Sequence, residues 1–217
     1  EELNNTKNAQ PILLCVEMAV VAYLADLGIL PEICTGHSLG EITALAVAGA
    51  IPLEVVIPFV LERARLMSEN VPEGGMAAII GMEPEVIEAA LVSGTQVANY
   101  NGPAQTIISG DAASLEASIL ALKEKGARRI LPLQVSGPFH SQYMKPAAKA
   151  LEKYLETMPI HKPKVAVLSS VSGAVEDDPE RIRMLLAQQL YAPVQWTSVM
   201  AQLDKRKAIE VGPGNTL

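Results

Sequence analysis

Ser38 lies between two glycines, Gly36 and Gly40, and the flanks of that pair have opposite textures. Before it, Ile33-Cys34-Thr35 is apolar and β-prone. After it, Ile42-Thr43-Ala44-Leu45-Ala46-Val47-Ala48 reads as a buried helix. A chain that passes from strand to helix through G-x-S-x-G must turn sharply. The small neighbours let the turn close and leave the serine hydroxyl exposed. The amide of Leu39 then stands at a helix N-terminus, where partial positive charge would stabilise an oxyanion. An ordinary glycine-flanked turn also satisfies the bare motif; the strand before and the helix after select the nucleophile reading.

The rest of the chain alternates between strand and helix signals. Pro11 suits the first turn of a buried helix that runs to about Leu27 and stops at Gly28. Leu53 to Asn70 reads as a helix with Val56, Phe59, Val60 and Met67 roughly on one face. From Pro72-Glu73-Gly74-Gly75 the order becomes strand (from Met76), helix (Pro84 to Leu91), strand (Gln96 to Tyr100), strand (Thr106 to Ser109), helix (Asp111 to Lys125) and strand (Arg129 to Val135). That β-α-β-β-α-β order is a ferredoxin-like unit. Beyond it come a helix from Pro146 to Met158, a strand from Lys164 to Ser169, a helix from Asp178 to Leu190 and a strand from Ala208 to Val211. The expected fold is α/β. A larger hydrolase-like domain with a parallel sheet takes residues 1–70 and 138–217, and the ferredoxin-like subdomain, 71–137, is inserted into it.

Composition narrows the function. The 217 residues are 49% hydrophobic and 19% charged, enough for one sizeable core. A net charge of −7 argues against nucleic-acid binding. Cys15 and Cys34 both lie in apolar runs and read as buried, reduced thiols of a cytoplasmic protein. No Cys/His cluster has zinc spacing, so no metal is expected. The start, Glu-Glu-Leu-Asn-Asn, is not a signal peptide. The apolar run from Pro11 to Leu30 is interrupted by Glu17 and Asp26, which suits a buried helix and not a membrane span. The chain reads as cut at both ends, since it opens on a polar run and stops at Asn215-Thr216-Leu217.

A serine nucleophile needs a base. Of the three histidines, His37 adjoins Ser38 at a tight turn and reads as structural, and His161 falls in a polar connection between prolines. His140, in Gly137-Pro138-Phe139-His140-Ser141, follows a strand, where α/β folds place catalysts. It is the expected base. An α/β-hydrolase would need an acid between Ser38 and His140 in chain order. The only aspartate there, Asp111, sits at an expected helix N-cap, so a Ser–His pair oriented by something other than an acid fits better. Arg63 and Arg65 on the next helix cannot share one face. Arg63, if turned inward, would offer a planar fork to a carboxylate; a solvated helix arginine is the plainer reading of that residue alone.

Together these residues resemble the malonyl-CoA:acyl carrier protein transacylases. The resemblance runs along the whole chain. It is carried by Ala9-Gln10-Pro11, Gly36 to Glu41, Arg63 with Met67, Val71 to Gly81, Asn99-Tyr100-Asn101-Gly102-Pro103, Val135 to Ser141 with Met144-Lys145-Pro146, Gln189 to Trp196, and Glu210 to Gly214. It implies that Ser38 takes the acyl group as an ester and that His140 is general base, then acid. It implies that the backbone carbonyl of Gln189 orients His140 and that Arg63 clamps the malonyl carboxylate. Phe139 would narrow the pocket toward malonyl, and Asn99 and Asn101 would line the cleft between the two units. Malonyl-CoA and acyl carrier protein are the implied partners, with no cofactor, no nucleic acid and no membrane, and a monomer is expected. One departure is plain. The family begins with a Gly-Gln-Gly-x-Gln strand whose glutamine supplies a second oxyanion amide, and this sequence starts downstream of it.

The implied activity is malonyl transfer from coenzyme A to the phosphopantetheine thiol of acyl carrier protein in fatty acid synthesis, with a polyketide pathway as alternative. A serine esterase or thioesterase would instead release free acid, and a carrier-binding module would lack catalysis. An acidic carrier calls for a local basic surface. Lys145, Lys149 and Lys153 share one helix face, and Arg128-Arg129 is a second candidate.

Overall fold

A computed structural model of the chain describes residues 5–69, 71–203, 206–214 and 217. Helix α1 (Thr6–Asp26) begins a turn earlier than its proline suggested. Asn5 caps it, its side chain accepting from Lys7 N at 3.0 Å. Pro11 therefore sits in the second turn and removes one helix hydrogen bond. The helix is seated on one side and not buried all round: Gln10 and Leu14 are enclosed, whereas Ile12, Val16 and Tyr23 are exposed. Cys15 lies on the exposed side, against the expected burial, and Cys34 is buried. At a mean hydropathy of 1.5, α1 is long and apolar enough to cross a membrane. Its polar groups engage the fold instead, with Glu17 accepting from Thr43 and Gln10 from Arg63.

Strand β1 (Ile33–Thr35) leads through the turn at Ser38 into α2 (Leu39–Val47), and α3 (Leu53–Leu66) follows. The expected end of α3, Asn70, lies outside the described residues; the helix itself stops at Leu66. Val56, Phe59, Val60 and Met67 are all buried, as their spacing requires.

Six elements then form a second sheet with its helices: β2 (Gly74–Ile80), α4 (Pro84–Ala90), β3 (Thr95–Gly102), β4 (Gln105–Asp111), α5 (Ala112–Glu124) and β5 (Arg129–Pro132). The strand order is β3-β4-β2-β5, with every neighbouring pair antiparallel. Alternation divides the faces. Ala77, Ile79 and Ile108 pack with Ile87 of α4 and Leu122 of α5, while Met76, Ala78, Ala98 and Ile107 join the larger core. The sheet is thus covered on both sides.

A 3-10 turn (Gln142–Met144), α6 (Lys145–Leu155), β6 (Ala166–Leu168), β7 (Val175–Glu176), α7 (Pro179–Gln188) and α8 (Trp196–Gln202) complete the described chain. Strand β6 pairs parallel with β1, Cys34 facing Val167, and antiparallel with β7. The first sheet is therefore mixed, correcting the expected parallel sheet. The reversal is a tight return in which Ala174 O accepts from Ser169 N at 2.9 Å and Gly173 takes φ 67°. No strand forms at Ala208–Val211, because no described strand of either sheet pairs with it. Helix α8 had no sequence signal, since only Trp196 and Val199 are buried in it.

Strand β3 ties the two sheets' surroundings together. Val194 N donates to Ala98 O at 2.8 Å, and Tyr100 N to Val194 O at 2.9 Å. The Gln96 amide reaches His140 O at 3.4 Å and Tyr191 O at 3.3 Å, and its Oε1 accepts from Gln142 N at 2.8 Å. The loop that carries His140 and the loop from Tyr191 to Val194 are thus held from one strand.

The elbow glycines are not equivalent. A Cβ on Gly36 would lie 2.0 Å from the carbonyl carbon of Gly40 and 2.5 Å from Glu41 N, both rigid backbone; a Cβ on Gly40 meets nothing within 4 Å. Gly36→Ala should cost at least about 3 kcal/mol or prevent folding. Gly40→Ala should be neutral or gain about 0.5–1 kcal/mol from helix propensity. Thermal or urea melts of the two variants check this, and similar losses in both would overturn the assignment.

Candidate active site

Among the described residues, only two non-glycine residues have positive φ, and they face each other chemically. Ser38 and His140 both have φ 53°. Such strain persists only where the surroundings over-determine it. Ser38 is fixed between β1 and α2, and His140 N donates to Leu190 O at 3.0 Å. The result puts His140 Nε2 3.0 Å from Ser38 Oγ.

The other ring nitrogen faces main chain. His140 Nδ1 lies 3.3 Å from Ala192 O, and the Gln189 carbonyl also acts on the ring. A carbonyl can only accept, so Nδ1 carries the proton and Nε2 is free to accept from the serine. Residues just past the end of α7 have carbonyls without helix partners, which supplies acceptors where a carboxylate would otherwise be needed. The resemblance placed an orienting carbonyl at Gln189; here the Ala192 carbonyl also faces the ring, and a backbone acceptor carries no sequence signal. Asp111 is committed elsewhere, capping α5 and accepting from Tyr143 Oη at 2.5 Å. Burial first, then the charge of Arg63, push the pKa of His140 down to about 3.

Arg63 is 1% exposed. Its Nη2 donates to Ser38 Oγ at 3.1 Å and to Gln189 Oε1 at 2.7 Å, and its Nη1 to Gln10 Oε1 at 2.5 Å. Its Nε–H is buried without a partner, an unused donor beside the nucleophile. Burial lowers its pKa to about 10, partly offset by Glu41, so the guanidinium stays charged at neutral pH. Arg65 points away to Glu62 and Glu69 on the surface. The side chain of Gln189, fully buried, also donates from Nε2 to Ser38 O at 3.0 Å and to Glu41 Oε2 at 2.7 Å.

The remaining candidates fall around this centre. Leu39 opens α2; the next amides are used internally, Gly40 N with His37 O and Glu41 N with Ser38 O, which leaves the Leu39 N–H at the helix's open end. Asn99 Nδ2 and Asn101 Oδ1 lie 2.9 and 3.0 Å from His37 Nε2, and Trp196 meets the His37 ring edge-on. The two asparagines hold His37, the residue before Ser38. Phe139 is buried in the larger core. His161 is exposed and its N bonds Ala50 O, away from the dyad. No group of three or more metal-ligating side chains comes together among the described residues. Gln10, Glu41 and the Gln189 side chain escaped the sequence reading. A glutamine and a glutamate inside apolar helices were the signal, because buried polar groups require partners.

The backbone expectation for Gln189 made its side chain dispensable; three hydrogen bonds say otherwise. Gln189→Ala should lower stability by about 2–4 kcal/mol, leaving Arg63 and Glu41 each a partner short. Chemical denaturation checks the value, and a loss under about 1 kcal/mol would restore the backbone-only view.

This arrangement has counterparts among known proteins. Residues 1–215 match the acyl transferase domain family. All of the chain aligns with 72% of the malonyl CoA-acyl carrier protein transacylase of Bacillus subtilis at 42% identity, and with 74% of that of Escherichia coli K12 at 40%. An acyl carrier protein S-malonyltransferase structure from Vibrio cholerae superposes with a TM-score of 0.93 at 39% identity, covering 98% of this chain and 73% of that one. A malonyl-transacylase solved in complex with its type II PKS acyl-carrier protein also gives 0.93, at 38% identity, covering 98% and 72%. With this dyad, this buried arginine and these matches, the chain belongs to the acyl transferase domain family, among its malonyl CoA-acyl carrier protein transacylases.

Proposed function

We propose that this chain transfers malonyl from malonyl-CoA to the phosphopantetheine thiol of acyl carrier protein in fatty acid synthesis. The observation that carries the reading is that Ser38 Oγ is shared by His140 Nε2 at 3.0 Å and Arg63 Nη2 at 3.1 Å. A nucleophile with its base needs no buried cation; a substrate with a carboxylate near its reacting carbonyl does.

His140 Nε2 takes the Ser38 proton as Oγ attacks the thioester carbonyl. The Leu39 N–H stabilises the oxyanion. The C–S bond breaks, the coenzyme A sulfur takes the proton from His140, and malonyl remains as an ester on Ser38. In the second half-reaction His140 takes the proton of the carrier's thiol, sulfur attacks the ester, and the proton returns to Ser38. The malonyl carboxylate lies on Arg63, using the unpartnered Nε–H. These steps use the chain's own side chains and the two thiols and call for no cofactor or metal. Phe139 bounds the acyl pocket, and Asn99 and Asn101 act through His37.

The acid carrier docks on the exposed Lys145, Lys149 and Lys153 of α6, which starts five residues after His140, or on the exposed Arg128-Arg129. We read residues 1–70 with 138–217 as the hydrolase-like unit and 71–137 as the ferredoxin-like one; the β3-β4-β2-β5 order supports the second. Because Gln10 of α1 holds Arg63, α1 acts as part of the catalytic unit and not as a membrane anchor. A cytoplasmic monomer fits these roles.

Ser38→Ala should abolish the gain of malonyl mass on incubation with malonyl-CoA, and an acylated variant would exclude Ser38. Arg63→Ala should cut malonyl kcat/KM by about 30- to several-thousand-fold, the cost of leaving a buried charge unpaired, while sparing acetyl-CoA. Equal losses for both thioesters would make Arg63 structural. Free acid in excess of carrier-bound malonyl would favour a hydrolase.

The acidity of His140 gives a third test. Its folded pKa is depressed, so the neutral base persists as pH falls and is lost only near the lowered value of about 3. The acid limb of malonyl kcat/KM, which reports the free enzyme, should therefore lie well below the ordinary histidine value of about 6.5. An acid limb at 6.5 or above would contradict the burial argument.

A further inference from the structure

The charge of Arg63 is not balanced by a direct ion pair. Its three side-chain partners, Gln10, Ser38 and Gln189, are neutral. The carboxylate that acts on it is Glu41, three residues past the nucleophile on α2. Glu41 is 4% exposed, and its Oε2 accepts from Ser170 Oγ at 2.6 Å and from Gln189 Nε2 at 2.7 Å. Gln189 Oε1 in turn accepts from Arg63 at 2.7 Å. One carboxamide therefore stands between a buried cation and a buried anion, and its dipole is oriented correctly for both. We infer that Glu41 is the fixed counter-charge of Arg63 and, through Gln189, sets how tightly the site holds a substrate carboxylate. It is a specificity-positioning residue that does not touch substrate.

The inference rests on the reading of Arg63 as the carboxylate clamp. A cation next to a nucleophile could hold its carboxylate ligand too well for a transfer reaction, in which the acyl group must leave again. A fixed anion one amide away lowers the potential that the incoming carboxylate meets without occupying its place. A direct Arg63–Glu41 pair would instead block the fork. The glutamine spacer takes one Nη2 donor, leaves the Nε–H unpartnered and still keeps the empty site near neutrality. Burial pushes the Glu41 carboxyl above its ordinary range; the hydrogen bonds from Ser169, Ser170 and Gln189 oppose that rise, and the guanidinium one amide away favours the ionised form.

Steady-state kinetics with malonyl-CoA and acetyl-CoA test this in wild type, Glu41→Gln, Glu41→Asp and Arg63→Ala. Glu41→Gln keeps the shape and removes the charge. It should lower KM for malonyl-CoA by about tenfold, the size of one charge acting at short range in a low-dielectric site, and leave acetyl-CoA within about twofold. The malonyl–enzyme should also persist longer before transfer. Glu41→Asp retains the charge and should keep the wild-type malonyl-to-acetyl ratio even if its melting temperature falls. A merely structural Glu41 would lower both activities together and leave that ratio unmoved, which overturns the inference. So does an unchanged ratio in a well-folded Glu41→Gln. If Glu41→Gln does not fold, Glu41→Met, a second uncharged side chain of similar length, decides: a malonyl-to-acetyl ratio raised several-fold supports the charge role and an unmoved ratio overturns it. Arg63→Ala separates the two readings. If it abolishes the malonyl preference while Glu41→Gln leaves it unchanged, only the role of Glu41 fails. If it spares the preference, the clamp itself is wrong.

Discussion

Everything in the catalytic half is arranged around one buried positive charge. Taking a guanidinium out of water costs several kcal/mol even after relaxation, so Arg63 can sit at 1% exposure only because the fold supplies acceptors for it. They come from separate elements: Gln10 from α1, Ser38 from the elbow, and Gln189 from the end of α7. Glu41 and Ser170 extend the network to α2 and to the loop after β6. The apolar core can tolerate small slips of one helix against another. This network cannot, because each slip would strand a buried polar group. The residues around Arg63 therefore also fix the mutual register of the helices that carry them.

Local patterns in the sequence were legible wherever a single rule governed the outcome. The run of strand and helix signals from Met76 to Ile130 gave the β-α-β-β-α-β order, and its two central strands, β2 and β4, each have one face toward α4 and α5 and one toward the larger core. Asp111 was readable as a cap, Ser38 as the elbow, and Arg63 and Arg65 as opposite-facing. Elements whose existence depends on a partner were not. β7 is two residues long and exists only because Val175 lies opposite Leu168. Ala208–Val211 has strand composition but pairs with no described strand. α1 looked buried because it is apolar, but apolarity does not say which faces are covered. At the site, the dyad and Arg63 were visible as residue types at telling positions. The Ala192 carbonyl and the Gln189 side chain were not, since a backbone acceptor has no sequence signature and a glutamine reports nothing about what it bridges.

The second sheet holds the surroundings of Ser38 and His140 without hydrogen-bonding the side chain of either. Strand β3 is bonded to Val194, two residues beyond the carbonyl that faces His140 Nδ1. Gln96 on the same strand holds the backbone of His140 and Tyr191. Asn99 and Asn101 hold His37, the residue before Ser38. His140, the Ala192 carbonyl and Ser38 therefore share one reference frame, although they are far apart in sequence. A positive φ at both Ser38 and His140 is sustainable in such a frame and would relax in a looser one.

The charge of Arg63 acts on His140 as well as on any bound anion. Burial first and the guanidinium charge second hold the imidazole neutral, with its Nε2 free to accept a proton. Under the proposed function, a malonyl carboxylate on Arg63 would add to the offset that Glu41 already gives that charge. The electrostatic part of the His140 depression would then ease in the acyl-enzyme, while the part caused by burial stays, at the step where the imidazole must deprotonate the carrier thiol. An acyl group without a carboxylate would leave that depression as it is in the empty site. The carboxylate that a buried arginine selects would thus also favour the base for the transfer that follows.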